Sequence, residues 1–103
     1  MFGWWPLTGT VEWVQYDFAA ETNVSASEVY WFYNPRFCDL PVSWRLLYRE
    51  GEEWKPVKNT SGYELTTNRY TRVKFEPVTT PGLRLEVELQ PEKSSAILEW
   101  KVK

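Results

Sequence analysis

Histidine is absent from the 103 residues, and cysteine occurs once, at Cys38. Without histidine the chain lacks the commonest general base and the commonest metal ligand. A single cysteine forms neither an internal disulfide nor a zinc-binding cluster, so stability must come from packing. A nucleophilic thiol at Cys38 would need a nearby base, a role that histidine usually fills. The sequence therefore predicts no catalytic thiol, no metal site and no cofactor.

The chain also has no excess of basic over acidic residues and no long apolar run. The formal net charge is -2 and the pI is about 5.2, unlike the basic surfaces that bind nucleic-acid phosphates or anionic lipids. No apolar stretch approaches the roughly 18–20 residues that span a bilayer, and no charged-then-apolar signal segment opens the sequence. We expect no nucleic-acid partner and no membrane insertion, and an export signal would lie outside these residues.

Aromatic residues are abundant instead, with seven Trp, six Tyr and five Phe. Such side chains favour half-buried sheet surfaces and the flat contacts of binding sites. Hydrophobic residues make up 43% of the chain, which is ordinary for a folded protein with a packed core. The length suits one domain, so we place a single domain over residues 1–103.

Apolar and polar residues alternate in several segments, and this period of two predicts about seven short strands. The predicted strands cover residues 11–18, 27–33, 44–49, 54–57, 70–75, 83–90 and 97–102. Turn signals lie at Asn34-Pro35, Glu50-Gly51 and Pro81-Gly82. No segment shows a helical stripe, so the predicted fold is an all-β antiparallel sandwich. Strand positions predict that five aromatic residues are core: Trp31, Trp44, Tyr48, Phe75 and Trp100.

Two carboxylates are candidate catalytic groups, because a glycosidase needs only a suitably spaced pair. Asp17 and Glu99 are the least solvent-like by position. The favoured interpretation is structural: Asp17 accepts hydrogen bonds from loop amides, and Glu99 pairs with an arginine such as Arg84. We therefore expect no enzymatic activity from this chain.

Three segments carry a resemblance to a known family: Glu12–Phe18, then Pro41–Tyr48 leading to Glu50–Trp54, and finally Ala96–Trp100. Together they resemble the discoidin, or coagulation-factor type C, domain, which is a galactose-binding-like jelly roll. Glu76–Thr80 and Leu83–Val87 are similar to the C-terminal modules of Bacteroides enzymes related to beta-L-arabinofuranosidase.

The resemblance implies a non-catalytic, carbohydrate-binding accessory module of a secreted bacterial glycoside hydrolase. Its partners would be a plant or host glycan and the catalytic domain of the parent chain, and its location periplasmic or extracellular. One alternative is a structural module that packs against the catalytic domain without binding sugar. Another is a protein–protein adhesion domain of discoidin type.

The resemblance also implies a chain that lacks the family's N-terminal strand and is a C-terminal fragment. One sheet edge would then be bare, and self-association through that edge would follow. Calcium ligands in such folds commonly come from the missing region, which again predicts no metal.

Aromatic residues beside turns are the candidate ligand contacts, because a flat ring stacks on the apolar face of a pyranose. Trp4, Trp5, Tyr33, Phe37 and Tyr63 lie in such places. The predicted sugar site lies on loops at one end of the sandwich and consists of Trp5, Tyr33, Asn34, Arg36 and Phe37. Its shallowness predicts an affinity on the order of 0.1–1 mM.

Overall fold

The computed structural model describes all residues from Met1 to Lys103 and contains six strands and no helix. The strands are β1 Phe2–Gly3, β2 Val11–Phe32, β3 Ser43–Glu50, β4 Glu53–Pro56, β5 Tyr70–Glu88 and β6 Ala96–Val102. They form one antiparallel sheet in the order β1-β6-β2-β5-β3-β4. The structure has no helix long and apolar enough to cross a bilayer.

The two long strands, β2 and β5, pair with each other over most of their length. The ladder begins with Val11 opposite Glu88 and ends with Tyr30 opposite Tyr70, with two register shifts between. Irregularities of this kind bend a strand and increase its twist. The bend allows a single continuous sheet to fold over on itself.

The folded sheet has two layers. The first layer contains β4, β3, the second half of β5 and the first half of β2, and the second layer contains the remaining strands. Across the layers, Trp31 meets Trp44 with ring centroids 5.4 Å apart, and Tyr16 meets Trp100 at 4.7 Å. The predicted all-β antiparallel sandwich is confirmed.

Pairs of predicted strands are continuous in the structure. The segments 11–18 and 27–33 both belong to β2, and the segments 70–75 and 83–90 both belong to β5. The residues between them stay in the ladder, for example Thr22 opposite Thr80. The Thr80 hydroxyl, which is fully buried, accepts a hydrogen bond from the Arg49 N–H at 3.1 Å and donates to the Arg49 carbonyl at 2.8 Å. It thereby fastens the end of β3 to the bend.

The predicted turn at Pro81-Gly82 is wrong, because Gly82 lies inside β5 and pairs with Asp17. A Cβ at Gly82 would lie 3.0 Å from the carbonyl oxygen of Tyr16 and 3.2 Å from the ring of Trp54. Glycine at this point permits two backbones to approach closely and does not reverse the chain.

The core lies between the layers. Leu83, Leu85, Val87 and Leu89 all point inward and are buried, as their alternation predicts. Of the five aromatic residues predicted as core, four are buried and Tyr48 packs partly buried against the core cluster. Burying such a side chain contributes about 1.5–3 kcal/mol each. Because the chain has no disulfide, this apolar core must supply its stability.

The outer edge of β6 has little cover. β1 is a short strand that the sequence did not predict, and it pairs only with Ile97 and Ala96. Alternation along the sequence groups Leu98 with Trp100, which is buried. A register shift in the β2–β6 ladder instead buries Ile97 and leaves Leu98 46% exposed. No strand pairs with the rest of this edge. Self-association through it stays a prediction.

We expect Gly82→Ala to lower the free energy of unfolding by about 1–3 kcal/mol, because the added methyl group forces the β2 and β5 backbones apart. Gly62→Ala is the matched control, since nothing lies within 4 Å of a Cβ there, and it should change stability by less than about 0.5 kcal/mol. Urea unfolding followed by tryptophan fluorescence measures both. Equal midpoints for the two variants would contradict this account of Gly82.

Candidate functional site

Two loops meet at one end of the sandwich. One precedes β2 and carries Trp5; the other follows β2 and carries Phe37. Their ring centroids lie 5.8 Å apart at an interplanar angle of 85°, an edge-to-face contact. Trp5 is 61% exposed and Phe37 is 49% exposed. The structure therefore brings together two of the five predicted site residues.

The loop that carries Phe37 is closed on itself. Asn34 and Cys38 exchange two backbone hydrogen bonds, at 3.0 Å and 2.9 Å. The side-chain oxygen of Asn34 accepts the backbone N–H of Arg36 at 2.9 Å. Asn34 is thus partly a turn residue, but its amide nitrogen donates to no protein group. Arg36 is exposed and forms no ion pair.

The same loop is anchored to the segment that precedes β6. Lys93 Nζ donates to the Pro35 carbonyl at 2.6 Å. The Asp39 N–H donates to the Ser94 carbonyl at 2.9 Å, and the Ser95 hydroxyl donates to the Asp39 carbonyl at 2.8 Å. These bonds hold the backbone of the loop that carries Arg36 and Phe37 against the sandwich.

Tyr33 is the predicted site residue that the structure does not bring to the aromatic pair. Its side chain is half exposed, and no ring contact or hydrogen bond joins it to Trp5 or Phe37. It stands just after the last residue of β2, at the beginning of the same loop. We call the Trp5–Phe37 pair, together with Asn34 and Arg36 of the loop that carries Phe37, the loop-end cluster.

Two other aromatic residues beside turns, Trp4 and Tyr63, pack into the core. Trp4 is only 6% exposed, and its indole N–H donates to the Trp13 carbonyl at 3.3 Å. The Tyr63 ring packs edge-on against Trp44 at 5.0 Å, and its hydroxyl accepts the Leu46 N–H at 3.1 Å. Burial raises the pKa of Tyr63. A position beside a turn did not distinguish these rings from Trp5.

The two carboxylates considered as catalytic groups are exposed and point away from each other. Asp17 lies on the outer face of the first layer and accepts the side-chain amide of Gln15 at 2.9 Å. Glu99 lies on the outer face of the second layer, where it accepts the Tyr70 hydroxyl and pairs with Lys101 at 3.7 Å. The predicted bond of Asp17 to loop amides and the predicted pairing of Glu99 with Arg84 are both wrong.

The sequence did not reveal a cluster on the outer face of the first layer, which we call the Arg84 cluster. The Arg84 guanidinium lies 4.0 Å from the ring centroid of Trp13 and 4.3 Å from that of Trp54. Its Nε and Nη2 donate to the side-chain oxygen of Gln15 at 3.3 Å and 2.8 Å. Alternation does place Trp13, Gln15 and Asp17 on one face, but only the strand register shows that Arg84 faces Gln15.

A cleft of about 730 Å³ opens between the layers along the outer edge of β6. Eight of its 12 lining residues are hydrophobic, among them Phe2, Val14, Leu98 and Val102. None of the predicted site residues lines it. The chain also has no cluster of three or more His, Cys, Asp or Glu side chains that could hold a metal ion.

We expect opposite results from the neighbouring tryptophans. Trp4→Ala should cost about 3–5 kcal/mol of unfolding free energy, because it empties a core position. Trp5→Ala should cost less than about 1 kcal/mol, because that ring is mostly in solvent. Urea unfolding of both variants measures the difference. Similar losses would show that Trp5 is also a structural residue.

Cys38 should be protected from thiol reagents in the folded protein. Its side chain is buried, and burial raises the pKa of the thiol, so the reactive thiolate is scarcer than in a free cysteine. We expect labelling by a disulfide reagent at neutral pH to be slow in buffer and rapid in concentrated guanidinium chloride. Equal rates in the two solutions would show an accessible thiol.

No protein-family profile matches this sequence, and neither does any curated protein. In three dimensions the chain is similar to a solved chain of BgaA, an architecturally intricate beta-galactosidase of Streptococcus pneumoniae with multiple functions. The TM-score is 0.80 at 16% sequence identity, and the alignment covers 89% of this chain and 68% of that chain. At this identity the likeness shows a shared fold.

Proposed function

We propose that this domain is a non-catalytic carbohydrate-binding accessory module of an exported bacterial glycoside hydrolase. The observation that carries the proposal is the exposed Trp5–Phe37 pair on a fixed loop end. Two large rings that pack mainly on each other leave apolar faces in water, and such faces suit the C–H face of a sugar ring. The fold shared with a chain of a beta-galactosidase supports the same context.

Polar groups beside the pair match the hydroxyls of a sugar. The guanidinium of Arg36 and the amide nitrogen of Asn34 are both donors without a protein partner. Because Lys93, Ser94 and Ser95 already hold the loop, little conformational entropy is lost on binding. The site is nevertheless open and shallow, so an affinity on the order of 0.1–1 mM is expected.

The residues of the chain support a role without catalysis. Histidine is absent, the only thiol is buried, and the two candidate carboxylates lie on the outer faces of different layers. The finer resemblances, to discoidin domains and to modules of Bacteroides arabinofuranosidase relatives, support a sugar-binding role and an extracellular or periplasmic location for the parent enzyme.

A second candidate function is a structural module that packs against a catalytic domain and binds no sugar. The apolar cleft beside β6 favours it, because exposed Phe2 and Leu98 would be covered by such a contact. This candidate assigns no ligand to the loop-end cluster. It therefore predicts that Trp5 and Phe37 are dispensable for every sugar tested.

The test is a titration of the ¹⁵N-labelled domain with galactose, arabinose and plant-polysaccharide oligomers. We expect shifts confined to the Trp5 indole and to residues 33–38, and their loss in Trp5→Ala and Phe37→Ala. Tyr70→Ala, a surface aromatic on the second layer, is the control and should bind like the unmodified domain. Absence of shifts at the loop end with every sugar would favour the structural module.

A further inference from the structure

We propose that the Arg84 cluster is a separate binding site for a carboxylate-bearing sugar, a uronic acid residue of an acidic glycan. This proposal goes beyond the function proposed above, since it concerns different residues, a different surface and a charged ligand. No hydrogen bond, ion pair or ring contact joins the Arg84 cluster to the loop-end cluster.

Strand register builds the cluster. Arg84 of β5 lies directly opposite Gln15 on β2 and Leu47 on β3. Trp13 lies on the β2 side of Arg84, and Trp54 reaches it from the edge strand β4. Trp54 reaches this far because Gly82 has no side chain beneath its ring. The guanidinium is therefore held between two indoles.

No carboxylate of the protein lies within ion-pair distance of the Arg84 guanidinium. Arg84 takes part in no ion pair, whereas Arg45 pairs with Glu86 at 2.8 Å and Arg72 approaches Glu28 at 4.0 Å. The adjacent acidic side chain on the same strand, Glu86, is thus already engaged. The half-buried guanidinium is bonded to the neutral amide of Gln15, which in turn donates to Asp17, so its positive charge remains available to an anion.

The free edge of the guanidinium suits a carboxylate. Nε and Nη2 share one acceptor, the side-chain oxygen of Gln15, and Nη1 donates to no protein group. The Nη1–Nη2 edge thus retains two parallel N–H bonds, the fork that binds a carboxylate at both oxygens. Because the Gln15 bonds fix the rotation of the guanidinium, the fork is oriented before binding.

The neighbours of Arg84 indicate that the carboxylate belongs to a sugar. Trp13 is 50% exposed and offers a ring to the C–H face of a pyranose. Asp17, which is exposed and receives only the Gln15 amide, offers acceptor oxygens to hydroxyls. A uronic acid carries a carboxylate, an apolar ring face and hydroxyls within one residue.

A purely structural role explains only part of the cluster. Leu47 points to this outer face and is nevertheless buried. Shielding Leu47 from water is a structural reason for Trp54 and for the alkyl part of Arg84. It does not account for the exposed ring of Trp13 or for a guanidinium without an acidic partner. Those two features are expected of a binding surface and are not needed to shield Leu47.

The experiment is a titration of the ¹⁵N-labelled domain with galacturonate, with galactose and acetate as matched probes. We expect galacturonate to shift the indole signals of Trp13 and Trp54 and the Nε signal of Arg84, with its affinity falling as salt rises. Galactose lacks the carboxylate and acetate lacks the ring, so each should bind this face at least about tenfold more weakly.

Variants separate the site from the fold and from the loop-end cluster. Arg84→Gln should weaken galacturonate binding about tenfold or more, and Arg84→Lys, which keeps the charge without the planar fork, should also weaken it. Arg72→Gln and Trp5→Ala should leave it unchanged. A dispersed amide spectrum verifies folding of each variant. Equal binding by Arg84→Gln, or acetate acting as strongly as galacturonate, would overturn the proposal.

Discussion

The pairing of β2 with β5 is the interaction on which the rest of the structure depends. Both strands run through both layers, so their ladder joins the two halves of the sandwich as one hydrogen-bonded sheet. β3 and β4 attach to one end of this ladder and β6 to the other. Unlike a sandwich of two separate sheets, this domain holds its layers together by backbone bonds as well as by side-chain packing.

The bend in that ladder also determines where recognition surfaces arise. Inside the bend, Thr80 is buried against the end of β3, and Gly82 lets the strands run close together. Outside it, the same glycine leaves the space into which Trp54 extends toward Arg84. At the far end of β2, the chain leaves the sheet at Tyr33 and forms the fixed loop of Arg36 and Phe37. The path of β2 and β5 therefore determines which side chains meet on the surface.

Much of the fold could be predicted because alternation is a local signal. The run from Leu83 to Leu89 shows its buried face without any knowledge of its neighbours. Pro81-Gly82 could not be understood in this way, since the reason for glycine there is the carbonyl oxygen of Tyr16 on another strand. The exposure of Leu98 could not be predicted, because a register shift in a ladder leaves no mark in the sequence of one strand.

The site was harder to predict than the fold. Trp4 and Trp5 are adjacent and identical, yet one fills the core and the other is in solvent, because the backbone direction at each residue decides which ring points inward. Turn chemistry at Asn34-Pro35 correctly indicated a loop carrying exposed groups. The Arg84 cluster escaped prediction, since its members come from three strands and meet only through register.

The long ladder has a consequence for how the chain acquires its structure during synthesis. Val11 pairs with Glu88, which is synthesised 77 residues later. Until residues 82–88 are made, the first half of β2 has no partner strand and its apolar face is open to water, whereas the β3–β4 hairpin closes locally. Loop-closure entropy makes such distant pairing slow. The first half of β2 therefore stays unpaired until the end of β5 has been synthesised, and this is the period of its greatest exposure to aggregation.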